Sequence, residues 1–181
     1  MCCEAKLRSS ELGGAFALPR KTLMQTKSRN PLNDKIKSEV AAILLPIVYD
    51  ATELKSHVKL AHWNLRDPDF ISIHRLLDEV AATIEEGIDE IAERARQLGA
   101  VMDVTLVKVG IETSLNSFPT GLLNRTDACN GLLTSLGAAV NGLHKGIDKC
   151  ADSGDAISAD LLTSVSAKLE VYLWLIESHL V

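Results

Sequence analysis

Five side chains between residues 61 and 99 have the types and spacing to hold a metal ion: His62, His74, Asp78, Asp89 and Glu93. Imidazole nitrogen and carboxylate oxygen together suit iron or zinc, and a set without cysteine leaves the weak or open positions that an iron centre needs in order to cycle. On a helix of about 100° per residue, with His74 at zero, Asp78 falls near 40°, Asp89 near 60° and Glu93 near 100°. These four ligands share one stripe. The apolar residues Ile73, Leu77, Val80, Ile84, Ile88, Ile91 and Ala95 form a second stripe centred roughly 120° away, so the ligand face is not the core face. Taken singly, a helical histidine is ordinarily a surface or satisfied residue, and acids at i and i+4 are a solvated face.

His74 and Asp89 are fifteen residues apart. At ~1.5 Å of rise per residue that is roughly 22 Å, far beyond the ~2 Å bonds of one metal centre. One chain therefore cannot close the site. A second copy laid antiparallel across a two-fold axis near Ala81 and Ala82 brings His74 and Asp78 of one chain against Asp89 and Glu93 of the other.

The run H-W-N-L-R, the H-x-x-x-D from His74 to Asp78, and D-x-x-A-E-R-x-x-x-L-G from Asp89 to Gly99 closely resemble the signature of the Dps family. These are the DNA-protecting mini-ferritins of starved cells. The C-terminal A-D-L-L-T and L-E-V-Y-L-W-L-I-E-S-H-L resemble that family's last helix, so the likeness covers roughly residues 34 to 181. The resemblance implies an all-α, ferritin-like four-helix bundle with a short extra helix in the middle connection, assembling into a hollow dodecamer. It implies His62, His74 and Asp78 from one chain, and Asp89 and Glu93 from its two-fold mate, as a ferroxidase site. There iron(II) would be oxidised, preferably by hydrogen peroxide and otherwise by oxygen, and iron(III) mineral stored inside, in protection against oxidative stress. Iron is the expected metal, with zinc as the alternative at the same ligands. Ordinary ferritins use Glu and E-x-x-H pairs inside one bundle. This chain has no E-x-x-H, in keeping with a site between chains.

The elements that must carry these residues are legible as helices. With 181 residues, 46% hydrophobic and only 4% aromatic, the chain supports one helical domain with a sizeable core, and no apolar run reaches membrane-spanning length. Asn33 or Asp34 caps a first helix running to Leu65, which Pro46 should kink. A turn at Arg66 to Asp69 leads into a second helix that Gly99 ends. Gly110, Pro119 and Gly121 interrupt the connection, with a short helix expected around Ile111 to Leu115. A third helix is expected from about Leu122 to Cys150, weakened at Gly131, Gly137, Gly142 and Gly146 unless packing compensates. A fourth is expected from about Ala156 to Leu180.

The net charge of −5 conceals an asymmetry. Residues 1 to 30 hold Lys6, Arg8, Arg20, Lys21, Lys27 and Arg29 against Glu4 and Glu11, a balance of 6 − 2 = +4, which leaves −9 for the rest. Residues 1 to 32 therefore read as a basic, flexible tail ahead of the bundle at 33 to 181. Twelve such tails on one shell could bind DNA together through avidity, independently of sequence; a solvated tail with no DNA role is the equal alternative. The alternative function is thus a nucleoid-compacting structural protein. The tail lacks the apolar centre of a secretory signal, and Glu4 and Glu11 count against a transit peptide. The expected location is the cytoplasm, with nucleoid association if DNA binds.

Other residues have weaker claims. Trp63 and Trp174 read by default as core aromatics; the resemblance places them near the iron centre as acceptors of stray oxidising equivalents. Glu79, Glu85 and Glu86 are candidates for starting mineral growth. Asp152, Asp155 and Asp160 resemble the family's acidic pore, which would attract cations, although Asp155 also suits a helix cap. His57 points ~140° from His62 on an ideal helix and reads as surface. His144 and His179 have no partner at ligand spacing. Cys129 and Cys150 read as small core residues of a reducing compartment, and Cys2 and Cys3 as incidental.

Overall fold

The computed structural model describes residues 25–180; the bulk of the basic segment, residues 1–24, lies outside them. Among these residues five helices account for the regular structure: α1 (Asp34–Asn64), α2 (Phe70–Gln97), the short α3 (Leu106–Glu112), α4 (Arg125–Asp152) and α5 (Ala156–Glu177). Asn33 starts α1, its side chain accepting from the Ile36 amide at 2.9 Å, and the helix continues through Pro46. Asn124 caps α4 and Asp155 caps α5 in the same way.

Short turns make α1 and α2 one antiparallel hairpin and α4 and α5 another. The end of α1 and the start of α4 meet in a bridge between Leu65 and Leu123, with Arg66 N donating to Leu123 O at 2.8 Å. Because α2 starts at this same end, α2 and α4 run parallel, and the connection between them must travel the length of the bundle. It does so carrying α3 against α1, and Asp50 of α1 pins it by accepting from Thr113 Oγ1, Ser114 N and Ser114 Oγ. The result is a ferritin-like four-helix bundle with an extra helix in the crossover. That helix starts five residues earlier, and ends three residues earlier, than the glycine and proline pattern suggested. Thr105 starts it by accepting from the Lys108 amide, and Gly110 is tolerated inside it.

The core runs along all four long helices, through Leu44, Leu54, Leu77, Ile84, Leu136 and Leu162. Gly146 belongs to it by close approach: a Cβ there would meet Ile47 Cδ1 at 2.6 Å and Leu162 Cδ1 at 2.9 Å. Cys129 and Cys150 are buried as expected, and burial pushes the Cys150 thiol up to about 11.

Three expectations need correction. Residues 25–32, assigned to a flexible tail, are strapped to the end of α2: Thr26 N donates to Gly99 O at 2.7 Å and Ser28 Oγ to Gln97 O at 2.6 Å. Gly99 is suited to this in two ways, since its φ is +92° and a Cβ would lie 2.5 Å from Thr26 O. His57 is buried, not surface, with 3% exposure. The face that points away from His62 points at α4, where Ser135 Oγ lies 3.0 Å from His57 Nδ1 and Phe118 stacks on the ring. Trp63 and Trp174 lie outside the core of the protomer, at 70% and 64% exposure.

Candidate metal centre

The α1–α2 hairpin sets His62, in the last turn of α1, against His74 near the start of α2. Their rings stack at 3.7 Å between centroids and 19° between planes, with Phe70 against the other side of His74 at 4.6 Å. Each ring is locked by the other residue's backbone. His62 Nδ1 donates to His74 O at 3.0 Å, and His74 Nδ1 to His62 O at 3.2 Å. The His62 carbonyl belongs to the last helical turn, where acceptors lack an intrahelical partner, and the amide of Arg66 that would normally reach it is turned to Leu123 instead. With the proton assigned to Nδ1 by these bonds, both Nε2 atoms carry a free lone pair. This arrangement orients histidine as a metal ligand.

Asp78, one turn beyond His74, brings the carboxylate. Its Oδ1 lies 3.5 Å from His62 Nδ1, and ligand atoms of His62, His74 and Asp78 fall within 4.8 Å of one another. Among the described residues this is the one grouping of three or more potential ligands. The bundle interior, lined by Ile47, Leu54, Ile84, Val165 and Leu169, supplies an apolar void instead. Two imidazole nitrogens and a carboxylate oxygen fit iron(II) or zinc; the donor set agrees with the metal inferred from the sequence.

Asp89 and Glu93 are not brought to this group. They stand further along the exposed stripe Asp78, Ala82, Glu85, Asp89 and Glu93, and neither has a partner among the described residues. Ala82 is exposed on that stripe, but Ala81 is turned into the protomer's own core at 6% exposure, so only one of the two alanines is available for a close crossing.

The candidate acids divide likewise. Asp155 is 2% exposed: Arg94 Nη2 donates to both its oxygens at 2.8 and 2.9 Å, and Ser158 Oγ donates at 2.6 Å. Burial would raise its carboxyl, but the hydrogen bonds from Ser158 and Arg94 outweigh that and hold it below the usual range. The cap reading accounts for Asp155 and the pore reading does not, whereas Asp152 and Asp160 are exposed at the α4–α5 turn. Glu85 is ion-paired to Lys55, and Glu86 to Lys168 at 3.1 Å, while Glu79 stands exposed without a partner among the described residues. His144, given no role, hydrogen-bonds Glu170 at 2.7 Å and holds that carboxyl below its usual range.

Sequence reasoning missed Lys59. It sits three residues before His62, a spacing that puts it on the same helix face, and its Nζ lies 2.9 Å from Asp78 Oδ1. This hydrogen bond is the largest cause of the depressed Asp78 carboxyl.

Comparison with known proteins agrees with the fold. The ferritin-like domain family matches residues 48–181. The chain is 35% identical to the DNA protection during starvation protein of Agrobacterium fabrum, covering 84% of this chain and 94% of that one. Among solved structures, DpsC from Streptomyces coelicolor aligns with a TM-score of 0.83 at 26% identity, over 87% of this chain and 92% of that one. Dps from Microbacterium arborescens, solved in a high iron form, aligns with a TM-score of 0.78 at 28% identity, over 86% and 99% of the two chains.

Proposed function

Because the chain belongs to the ferritin-like family, and within it to the Dps proteins, we propose that it is an iron-binding mini-ferritin that oxidises iron(II) and stores iron(III) in a hollow dodecamer. The observation that carries this reading is the reciprocal His62–His74 lock, which leaves two ring lone pairs in a cluster that runs from the buried His62 through the half-buried His74 to the exposed Asp78. The face is finished by a second copy: Asp89 and Glu93 of the mate, laid antiparallel, complete the ligand set around the substrate iron. Borderline imidazole nitrogen holds iron(II), and the gathered carboxylates favour the harder iron(III) as charge builds. With peroxide as oxidant, two iron(II) ions lose one electron each, the O–O bond takes both electrons and breaks, and the oxygen enters the ferric oxyhydroxide with release of protons to water. Fenton chemistry is suppressed because one peroxide is consumed in a two-electron step.

The test is anaerobic titration of iron(II) into the assembled protein, followed by stopped-flow oxidation with peroxide or oxygen. Wild type should bind iron(II) and show a fast phase that is larger with peroxide, and His74→Ala should lose both binding and fast phase. Equal behaviour of the two proteins sinks the proposal.

A second reading, DNA binding, is favoured by the two exposed cations Lys27 and Arg29 on the strap, continuous with the basic segment before it. Deletion of residues 1–24 leaves the strap intact and should weaken DNA retardation most at low salt. Failure of the full chain to retard DNA at low ionic strength ends this reading. The matched relative's name supports it. Among the described residues no helix is long and apolar enough to cross a membrane, which is compatible with the expected cytoplasmic setting.

A further inference from the structure

Lys59 reaches from α1 across to α2 and holds Asp78 Oδ1, the same oxygen that faces the His62 ring at 3.5 Å. Its ammonium also lies 5.8 Å above the centroid of the exposed Trp63 ring, which is one turn further along α1. The neighbouring lysine on that face, Lys55, is committed to Glu85. A positive charge therefore already occupies the one carboxylate that the two histidines share. We propose that Lys59 is the resident cation of this half-site: it neutralises Asp78 while the site is empty, must release that carboxylate when a divalent ion arrives, and then settles on Trp63. The inference rests on the reading of His62, His74 and Asp78 as metal ligands.

The exchange is physically balanced. A divalent ion brings twice the charge of the ammonium and gains both Nε2 lone pairs, so it wins the carboxylate. Lys59 loses one partly exposed ion pair, worth little in solvent, and its flexible stem already places it beside an aromatic face that attracts cations. Lys59 thus sets the threshold for loading. It raises the iron(II) concentration needed to fill the site, and it couples filling to the environment of Trp63.

The experiment uses the assembled full chain and zinc(II) alone, a redox-inert probe, in competition with a chromophoric chelator. Lys59→Met removes the competing charge and should tighten zinc binding about tenfold, the scale of one unit charge acting on a divalent ion at roughly 5 Å in a high-dielectric setting. Lys59→Arg keeps the charge and should bind no tighter than wild type. In a Trp174→Phe background, where Trp63 is the one remaining indole, zinc should shift tryptophan emission in the parent but not in Lys59→Met. Zinc binding to Lys59→Met that is unchanged or weaker overturns the proposal, because Lys59 would then be a bystander or would be positioning Asp78. If His74→Ala binds zinc as the parent does, the metal-site reading itself fails and this inference fails with it.

Discussion

Trans-complementation tests the shared site most directly. One chain carries His62→Ala and His74→Ala, the other Asp89→Ala and Glu93→Ala. Each should fold, since neither pair of substitutions enters the apolar core, and each homo-oligomer should lose fast iron(II) oxidation. Along α2, His74 and Asp89 are separated by fifteen residues, roughly 22 Å of helix, so no intact chain can supply both halves of one site. In a mixed two-fold pair, one site combines both lesions. The other draws intact histidines from one chain and intact carboxylates from its mate. If co-expressed chains pair at random, half the pairs are mixed and half their sites are restored, so about one quarter of the wild-type fast phase should return. Stopped-flow absorbance of ferric product, on assemblies whose composition is confirmed by native mass spectrometry, reads this fraction. Mixed assemblies with no more fast phase than the two parents refute the between-chain site.

Other outcomes follow from the packing. Arg94→Met leaves Asp155 as an uncompensated buried carboxylate and should lower stability by about 3–5 kcal/mol in urea unfolding at neutral pH. Because the folded-state Asp155 carboxyl is depressed below 3.8, its contribution is present above that pH and lost as pH falls through the folded value, so Asp155→Asn should flatten acid unfolding below about pH 4. Burial depresses His57 below 6.5, so its contribution is complete above that pH and declines as pH falls towards the folded value. The pH slope of stability there should shrink in His57→Phe, and imidazole NMR titration checks the direction independently. Gly99→Ala forces a left-handed φ and a clash with Thr26 O, costing more than about 1 kcal/mol in thermal unfolding and raising hydrogen exchange at the Thr26 amide.

The chain's own pattern reaches far here. Helical periodicity, caps at Asn33 and Gly99, and breaks at Pro68 and Pro119 are local signals, so the four long helices were legible, as was the separation of the ligand stripe from the core stripe. The helical rise of α2 was enough to separate Asp89 and Glu93 from His74 along one chain, and the structure keeps them out of the His62, His74 and Asp78 group. Boundaries were less legible in the crossover, where α3 is held by Asp50 and by packing on α1 rather than by its own periodicity.

What the fold alone decided are the pairings between elements. Angular reasoning treats each helix as an isolated cylinder, so it separates faces without saying what covers them. His57 is buried because its face meets α4, and Asp155 is buried because Arg94 arrives from α2, sixty-one residues away. Residues 25–32 look like tail by composition and are held by carbonyls at the end of α2. The mutual lock of His62 and His74, and the Lys59 ammonium on Asp78, exist only when α1 folds back on α2. Residue type fixes which atoms could ligate a metal; only the antiparallel hairpin decides which of them meet, and beside which charge.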